Sequence, residues 1–208
     1  MADMQTIADI QAQKKILRRE MRRRRRALGK AQQKQAALSL YKRMVVSKAF
    51  RFARRITFTL ARDGEISPHL LLKEAQRRGK QCYLPVMNKL GEDRLRFRLL
   101  GDDKQLRSRN RFGIPEPVRG KVCRPRALSL VLLPLVAFDA NCNRLGMGKG
   151  FYDHTLSFLQ RSVRRRPLLI GLAHELQRVE ALELAPWDVP LQAIATDKAW
   201  YKAPIQSI

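Results

Sequence analysis

The stretch Phe138 to Asp153, FDANCNRLGMGKGFYD, concentrates the residue types able to do chemistry in this 208-residue chain. Gly146, Gly148 and Gly150 fall at every second position, Arg144 and Lys149 stand on either side, and Asp153 follows. Glycines so spaced let backbone amides approach an anion closely, and the start of a helix behind them adds unpaired N–H donors. Arg144 brings a forked guanidinium and Lys149 a mobile ammonium. Asp153, in the first turn of that helix, suits a magnesium ion held mainly by phosphate oxygens. The pattern points to a cradle for a nucleoside triphosphate. It is not a Walker A loop, because Asn143 stands five residues before Gly148 and Gly150 follows Lys149, and it does not match the dinucleotide fingerprint. Three glycines alone fit a tight structural turn equally well, so the flanking elements decide the reading.

Those elements are legible from periodicity. Leu128 to Phe138, LSLVLLPLVAF, is an almost unbroken apolar run, the signature of a strand covered on both faces. The stretch 151–163, FYDHTLSFLQRSV, reads as a helix after it, which places the glycine loop at the carboxyl end of a buried strand, where open parallel sheets bind ligands. Further strands are expected over Arg55 to Leu60, Gln81 to Val86, Leu95 to Leu99, Pro167 to Ala173 and Leu191 to Thr196. A helix is expected from Ser67-Pro68 through HLLLKEAQRRG, and Phe112 to Pro117, FGIPEP, should be irregular. Apolar spacing from Met4 to Lys48 predicts two helices with a turn at Leu28-Gly29. Strands separated by helices imply an α/β fold with a mainly parallel sheet between two helical layers. One domain over 1–208 is expected, with the helical segment 1–48 packed on the α/β body.

Composition narrows the function further. Forty-three Lys and Arg against eighteen Asp and Glu give a net charge of +25, which calls for anionic partners. The N-terminus has no apolar stretch behind a basic start, and the run ending at Phe138 is far below the roughly 20 residues of a membrane span, so no membrane association is expected. Cys82, Cys123 and Cys142 show no C-x-x-C spacing; free thiols and a cytoplasmic location are expected. Nine of the thirteen residues from Lys14 to Arg26 are basic, and a nucleic-acid-binding helix is the rival reading. Charge spread around the whole helix reads instead as solvated surface, and interleaved aromatics are absent, so nonspecific nucleic-acid binding is not favoured. His69, His154 and His174 lie on separate elements and read as surface or helix-end residues; Trp187, Trp200 and Tyr201 read as core or cover. Glu116 has no assigned role, and no Ser or Cys sits in a nucleophile-elbow context.

Four elements in order make the chain resemble the 5-formyltetrahydrofolate cyclo-ligase family. They are FDANCNRLGMGKGFYD, with Cys142 where the family commonly has glycine; Lys14-Lys15-Ile16-Leu17-Arg18 as a K-x-x-x-R element; Asp63-Gly64-Glu65 after the first strand; and the stretch Gly113 to Pro117. The resemblance covers nearly the whole chain. It implies a fold like those of sugar isomerases and CoA transferases, and ATP-dependent cyclisation of 5-formyltetrahydrofolate, with or without a polyglutamate tail, to 5,10-methenyltetrahydrofolate. The cofactors would be ATP and Mg2+, and a monomer is expected. ATP would be held by Lys14, Lys15, Ile16, Leu17 and Arg18 and by Arg144, Leu145, Gly146, Met147, Gly148, Lys149, Gly150, Phe151 and Tyr152. Arg144, Lys149 and Tyr152 would be catalytic. Leu60, Glu65 and Phe112 would line the folate site with Met147 to Phe151, Glu65 bonding the pterin and Phe112 stacking on it. Asp153 would hold the metal. Some relatives carry a second acid where this chain has Gln192; one carboxylate with the phosphates is the favoured reading, with Asp188 or Asp197 as substitutes. A generic nucleotide-dependent ligase would keep the glycine loop without needing Glu65.

Overall fold

The structure is a computed structural model that describes residues 2–87, 93–101, 106, 108–160 and 167–204. The chain opens with α1 (Ala2–Arg26), α2 (Lys30–Val45) and the short α3 (Lys48–Phe52). The break expected at Leu28-Gly29 is there, and the Gly29 amide donates to Gln32 Oε1 at 2.9 Å at the start of α2. Helix α3 is an addition to the sequence reading, begun by Ser47, whose Oγ accepts from the Phe50 amide at 3.2 Å.

Next come β1 (Arg55–Thr57), α4 (His69–Arg77), β2 (Gln81–Met87) and β3 (Leu95–Leu99). Two-residue strands follow: β4 (Ser108–Arg109), β5 (Pro115–Glu116) and β6 (Val122–Cys123). The second half holds β7 (Leu130–Pro134), β8 (Ala137–Phe138), β9 (Arg144–Leu145), α5 (Phe151–Leu156), β10 (Leu168–Ala173), β11 (Ala193–Thr196) and β12 (Trp200–Lys202).

One eight-stranded sheet runs β12-β11-β10-β7-β1-β2-β3-β6, parallel from β11 to β2 and antiparallel at both edges. Among the parallel strands the chain order is reversed between β1 and β7. Chain connections leave those two strands in opposite directions, which opens a crevice at their carboxyl ends. Strand β7 explains its own apolar composition. Leu130 and Leu132 enter one buried cluster with Leu40, Met44, Phe50 and Leu71 from α2 to α4, while Val131 and Leu133 enter another with Phe97, Leu156 and Ile194. A third cluster seats Met21 and Leu17 of α1 against Val136, Ala137 and Leu145.

Several expected elements are shorter than their hydrophobic runs. The Leu128 to Phe138 run is not one strand. Pro134 has no amide to continue the ladder, and Ala137–Phe138 turns away to pair with Arg144–Leu145 in a separate hairpin. Strand β1 ends at Thr57, and Thr59 and Leu60 instead line the crevice. Within FGIPEP, Pro115–Glu116 pairs with Ser108–Arg109, so that stretch is not wholly irregular. Helix α5 is six residues followed by a 3-10 turn, Ser157–Gln160; residues 161–163 of the expected helix lie outside the described residues.

Gly171 lies in mid-strand because nothing larger fits. A Cβ there would stand 2.7 Å from Leu135 Cδ2 and 2.8 Å from Leu191 Cδ1. Gly171→Ala is expected to lower stability by about 1–3 kcal/mol through overpacking, read as a shift of the urea midpoint without a change in its slope.

Candidate active site

The crevice is a cavity of about 1000 Å³ walled by α1, the loop after β1, the segment around Asn110 to Glu116, the glycine loop and the turn Ala185 to Asp188. That is the upper end of the ~300–1,000 Å³ usual for small-molecule sites.

The glycine loop is launched by a braced hairpin. Asp139, 1% exposed, accepts from the Asn141 and Asn143 amides, from Asn143 Nδ2 and from the Leu182 amide, at 2.8–3.1 Å. The turn it braces holds Cys142 at φ +65°, a left-handed conformation that glycine adopts freely and that costs a cysteine energy. Beyond β9, Gly148 and Gly150 adopt φ +90° and +66°. A Cβ on Gly148 would lie 3.3 Å from the Arg18 guanidinium carbon, so α1 presses on the loop at that point. Arg18 Nε donates to the Gly146 carbonyl at 2.9 Å, and Asp188 acts electrostatically on the same guanidinium. Among the described residues, no amide from Gly146 to Gly150 donates a hydrogen bond within the protein. Lys149 is exposed. Arg144 is 8% exposed along its side chain, with Nη2 at 2.5 Å from Asp153 Oδ1 and a buried Nε that has no partner. Asp153 Oδ1 also accepts from the Val189 amide at 3.1 Å, which ties α5 to the 185–189 turn.

Opposite lies the inner face of α1. Arg25 is fully buried: Nε donates to the Asp63 carbonyl at 2.8 Å, Nη2 to Asp63 Oδ2 at 2.9 Å and Nη1 to the Leu135 carbonyl at 3.2 Å. Arg22 reaches Asp63 Oδ2 at 2.7 Å, and Arg26 also bonds that carboxylate. These three arginines hold the Asp63 carboxyl well below the usual carboxylate range, against the opposing effect of burial. Asp63 (φ +55°) and Gly64 (φ +76°) form a left-handed turn so close to α1 that a Cβ on Gly64 would stand 2.7 Å from the Arg25 carbonyl oxygen. From the other side, buried His174 sets Nε2 at 3.1 Å from the Gly64 carbonyl. The turn aims Glu65 into the cavity with one oxygen 3.6 Å from Arg25 Nη2 and the other accepting from the Arg62 amide. Burial pushes the Glu65 carboxyl up, partly countered by Arg25.

The remaining arm is apolar. Leu60, Pro85, Met87, Leu95, Phe112, Ile114 and Phe151 line it. The Phe112 and Phe151 rings meet edge-on at 6.1 Å, with Arg111 over both. Glu116 accepts from the Met87 amide and from Asn110 Nδ2, bracing that wall. Burial, with the nearby charge of Glu65, pushes the Tyr152 phenol up despite Arg144. It therefore keeps its proton at neutral pH and is no base.

Lys14, Arg18, Leu60, Glu65, Phe112 and the run Arg144 to Asp153 thus share one cavity wall system. Lys15, Ile16 and Leu17 do not: the first two face outward, and Leu17 packs toward Met21. Reading the basic run as solvated surface beyond Lys14 and Arg18 misses Arg22, Arg25 and Arg26, which also line the cavity. Their spacing from Lys14 and Arg18, one helical face, was the available signal. His174 stands at a helix end, before the 3-10 turn Glu175–Gln177, but is 2% exposed rather than at the surface, and Trp187 is 64% exposed in the cavity wall rather than core or cover. Gln192 accepts from the Leu169 amide in the sheet and Asp197 from the Glu175 amide; neither lines the cavity, whereas Asp188 does. Among the described residues no three His, Cys, Asp or Glu side chains cluster as a metal cage, and no helix is long and apolar enough to cross a membrane.

The profile of the 5-formyltetrahydrofolate cyclo-ligase family matches residues 10–197. The chain is 38% identical over 184 residues to a 5-formyltetrahydrofolate cyclo-ligase of Escherichia coli strain K12, covering 86% of this chain and 98% of that one. It is 37% identical to its namesake in Haemophilus influenzae, covering 84% and 92%. The fold is similar to the NMR structure of the Aquifex aeolicus 5,10-methenyltetrahydrofolate synthetase, with a TM-score of 0.79 at 26% identity over 94% of this chain and 95% of that one.

The Asp63 cluster sets a pH dependence. A carboxyl whose folded pKa is depressed contributes stability that is complete above its unfolded value, about 4, and is lost as pH falls towards the folded value. Asp63→Asn is expected to cost about 1–3 kcal/mol at pH 7. Thermal unfolding of both proteins from pH 7 down to 2.5 should show the gap narrowing only below about pH 4.

Proposed function

This chain belongs to the 5-formyltetrahydrofolate cyclo-ligase family, and on that premise we propose that it closes 5-formyltetrahydrofolate to 5,10-methenyltetrahydrofolate at the expense of ATP. The observation that carries the reading is the meeting, in one cavity, of an arginine-lined loop of free amides with an apolar, aromatic arm ending at Glu65. The first suits a polyphosphate and the second a flat, partly polar ring.

In this scheme the formyl oxygen attacks the γ-phosphorus as ADP leaves, and the neighbouring folate nitrogen then attacks the formyl carbon and expels phosphate. Such chemistry asks for alignment and charge neutralisation rather than a covalent nucleophile. The amides from Gly146 to Gly150 and the side chains of Lys14, Arg18, Arg144 and Lys149 would hold the phosphates. Because α5 is so short, the loop amides and arginines matter more than the helix dipole. Glu65 would bond the pterin, its raised pKa favouring a shared proton with a ring nitrogen, while Phe112 and Phe151 cover the ring. Tyr152 would donate a hydrogen bond rather than accept a proton.

Magnesium fits the residues present. Asp153 Oδ1 is occupied by Arg144 and the Val189 amide and Asp188 Oδ2 by the Ala185 amide, which leaves one oxygen of each carboxylate without a partner among the described residues. Two free carboxylate oxygens and no closed cage match an ion completed by phosphates and water. Asp153 would hold it, with Asp188, one of the two substitutes named from the sequence, as a second carboxylate on the same wall. Bound there, it would neutralise charge on the β and γ oxygens.

Purified protein with 5-formyltetrahydrofolate and Mg-ATP should build the methenyl absorbance band, and omission of ATP should abolish it; no band from folded protein overturns the reading. Lys149→Ala should raise the KM for ATP roughly tenfold or more through loss of a charge-assisted contact. Glu65→Ala should act mainly on the KM for the folate, and unchanged kinetics in either variant would remove that residue from the site.

A further inference from the structure

Trp187 is the one large aromatic of the cavity wall for which the scheme above has no use. It is 64% exposed, and among the described residues its ring stacks on no other ring, lies under no cation and makes no hydrogen bond. An indole left so open beside a polar cavity covers no core, so its apolar faces are available to a ligand.

Its setting is rigid. The Ala185 amide donates to Asp188 Oδ2 at 2.8 Å, the Asp188 amide returns to the Ala185 carbonyl at 2.9 Å, and Gln160 Nε2 reaches the Pro186 and Asp188 carbonyls at 3.3 and 3.4 Å. The Val189 amide on Asp153 locks this turn to the phosphate loop. A turn braced by those bonds loses little backbone freedom when a flat partner lands on the ring it carries.

The layout of the cavity says which end of which ligand arrives there. Phe151 and Asp153 are two positions apart on α5 and so project to nearly opposite sides of it. Phe151 meets Phe112 and the apolar arm; Asp153 meets the 185–189 turn. The glycine loop lies between. For the γ-phosphate to face the apolar arm, the rest of the nucleotide must run the other way, past Arg18 and Asp188, toward Trp187. We propose that the Trp187 ring is the platform on which the base of the nucleotide stacks, which makes it a specificity-determining residue for nucleotide over bare polyphosphate. The inference rests on the assignment of the glycine loop to ATP.

The test compares Trp187→Ala and Trp187→Phe with the parent protein and, separately, follows emission in a Trp200→Phe background so that only Trp187 reports. Stacking lost on truncation should raise the KM for ATP roughly 5- to 100-fold, with kcat and the KM for 5-formyltetrahydrofolate within about twofold, and phenylalanine should restore most of the difference. ADP should quench Trp187 emission, whereas inorganic tripolyphosphate should compete with ADP and leave the emission unchanged. An unchanged KM for ATP in Trp187→Ala, ADP binding measured by calorimetry without quenching, or no ADP binding would each overturn the proposal. The emission experiment needs no turnover: quenching by ADP in a protein that forms no methenyl product would sink the cyclo-ligase reading and leave the base platform standing.

Discussion

The buried guanidinium of Arg25 is the point on which the site hangs. It is sealed from solvent, and an uncompensated charge there would be intolerable, so its position is dictated by its partners: the Asp63 carboxylate and carbonyl and the Leu135 carbonyl. Those partners belong to the loops after β1 and β7, the two strands at which the sheet reverses its winding. One side chain therefore fastens α1 across the crevice and fixes the turn that carries Glu65. His174 and Gly64 complete the same joint from the sheet side, and the close approach of Gly64 to the Arg25 carbonyl leaves no room for a side chain.

Once α1 is fastened, its cationic face becomes cavity wall. Arg22, Arg25 and Arg26 share the Asp63 carboxylate, whereas Arg18 bonds the glycine loop and, among the described residues, neither Arg18 nor Lys14 is hydrogen-bonded to a carboxylate. The helix thus divides its charge along its length: the arginines of its C-terminal part are paired with Asp63, and Lys14 and Arg18 line the cavity without such a partner among the described residues. Arg144 repeats this division on a single side chain, one nitrogen on Asp153 and another buried with no partner. The cavity thus gathers positive charge and free amides around an apolar arm, a setting that favours an anionic ligand, with Lys149 exposed in its wall.

Much of this was legible in the sequence. The glycine spacing with its flanking charges, the doubly covered strand before it, the helix break at Gly29 and the alternation of strands and helices all have local causes: backbone freedom, alternation of side chains along a strand, and capping. Element lengths were less so, since hydrophobic runs such as Leu128 to Phe138 do not mark where pairing stops, and Pro134 ends the ladder while burial continues.

What the sequence by itself determined was the main strands and helices, the parallel sheet and the gathering of glycines and charges in one loop, because each depends on residues within a few positions of one another. Only the tertiary structure decided which basic residues of α1 turn inward, that His174 is buried, that Trp187 stands open in the wall, and that Asp188 rather than Gln192 or Asp197 lines the cavity with Asp153. Those facts depend on which loops the sheet's winding brings face to face across a crevice, and contacts between residues 38 or 110 positions apart, such as Arg25 with Asp63 or Leu135, leave no period in the chain.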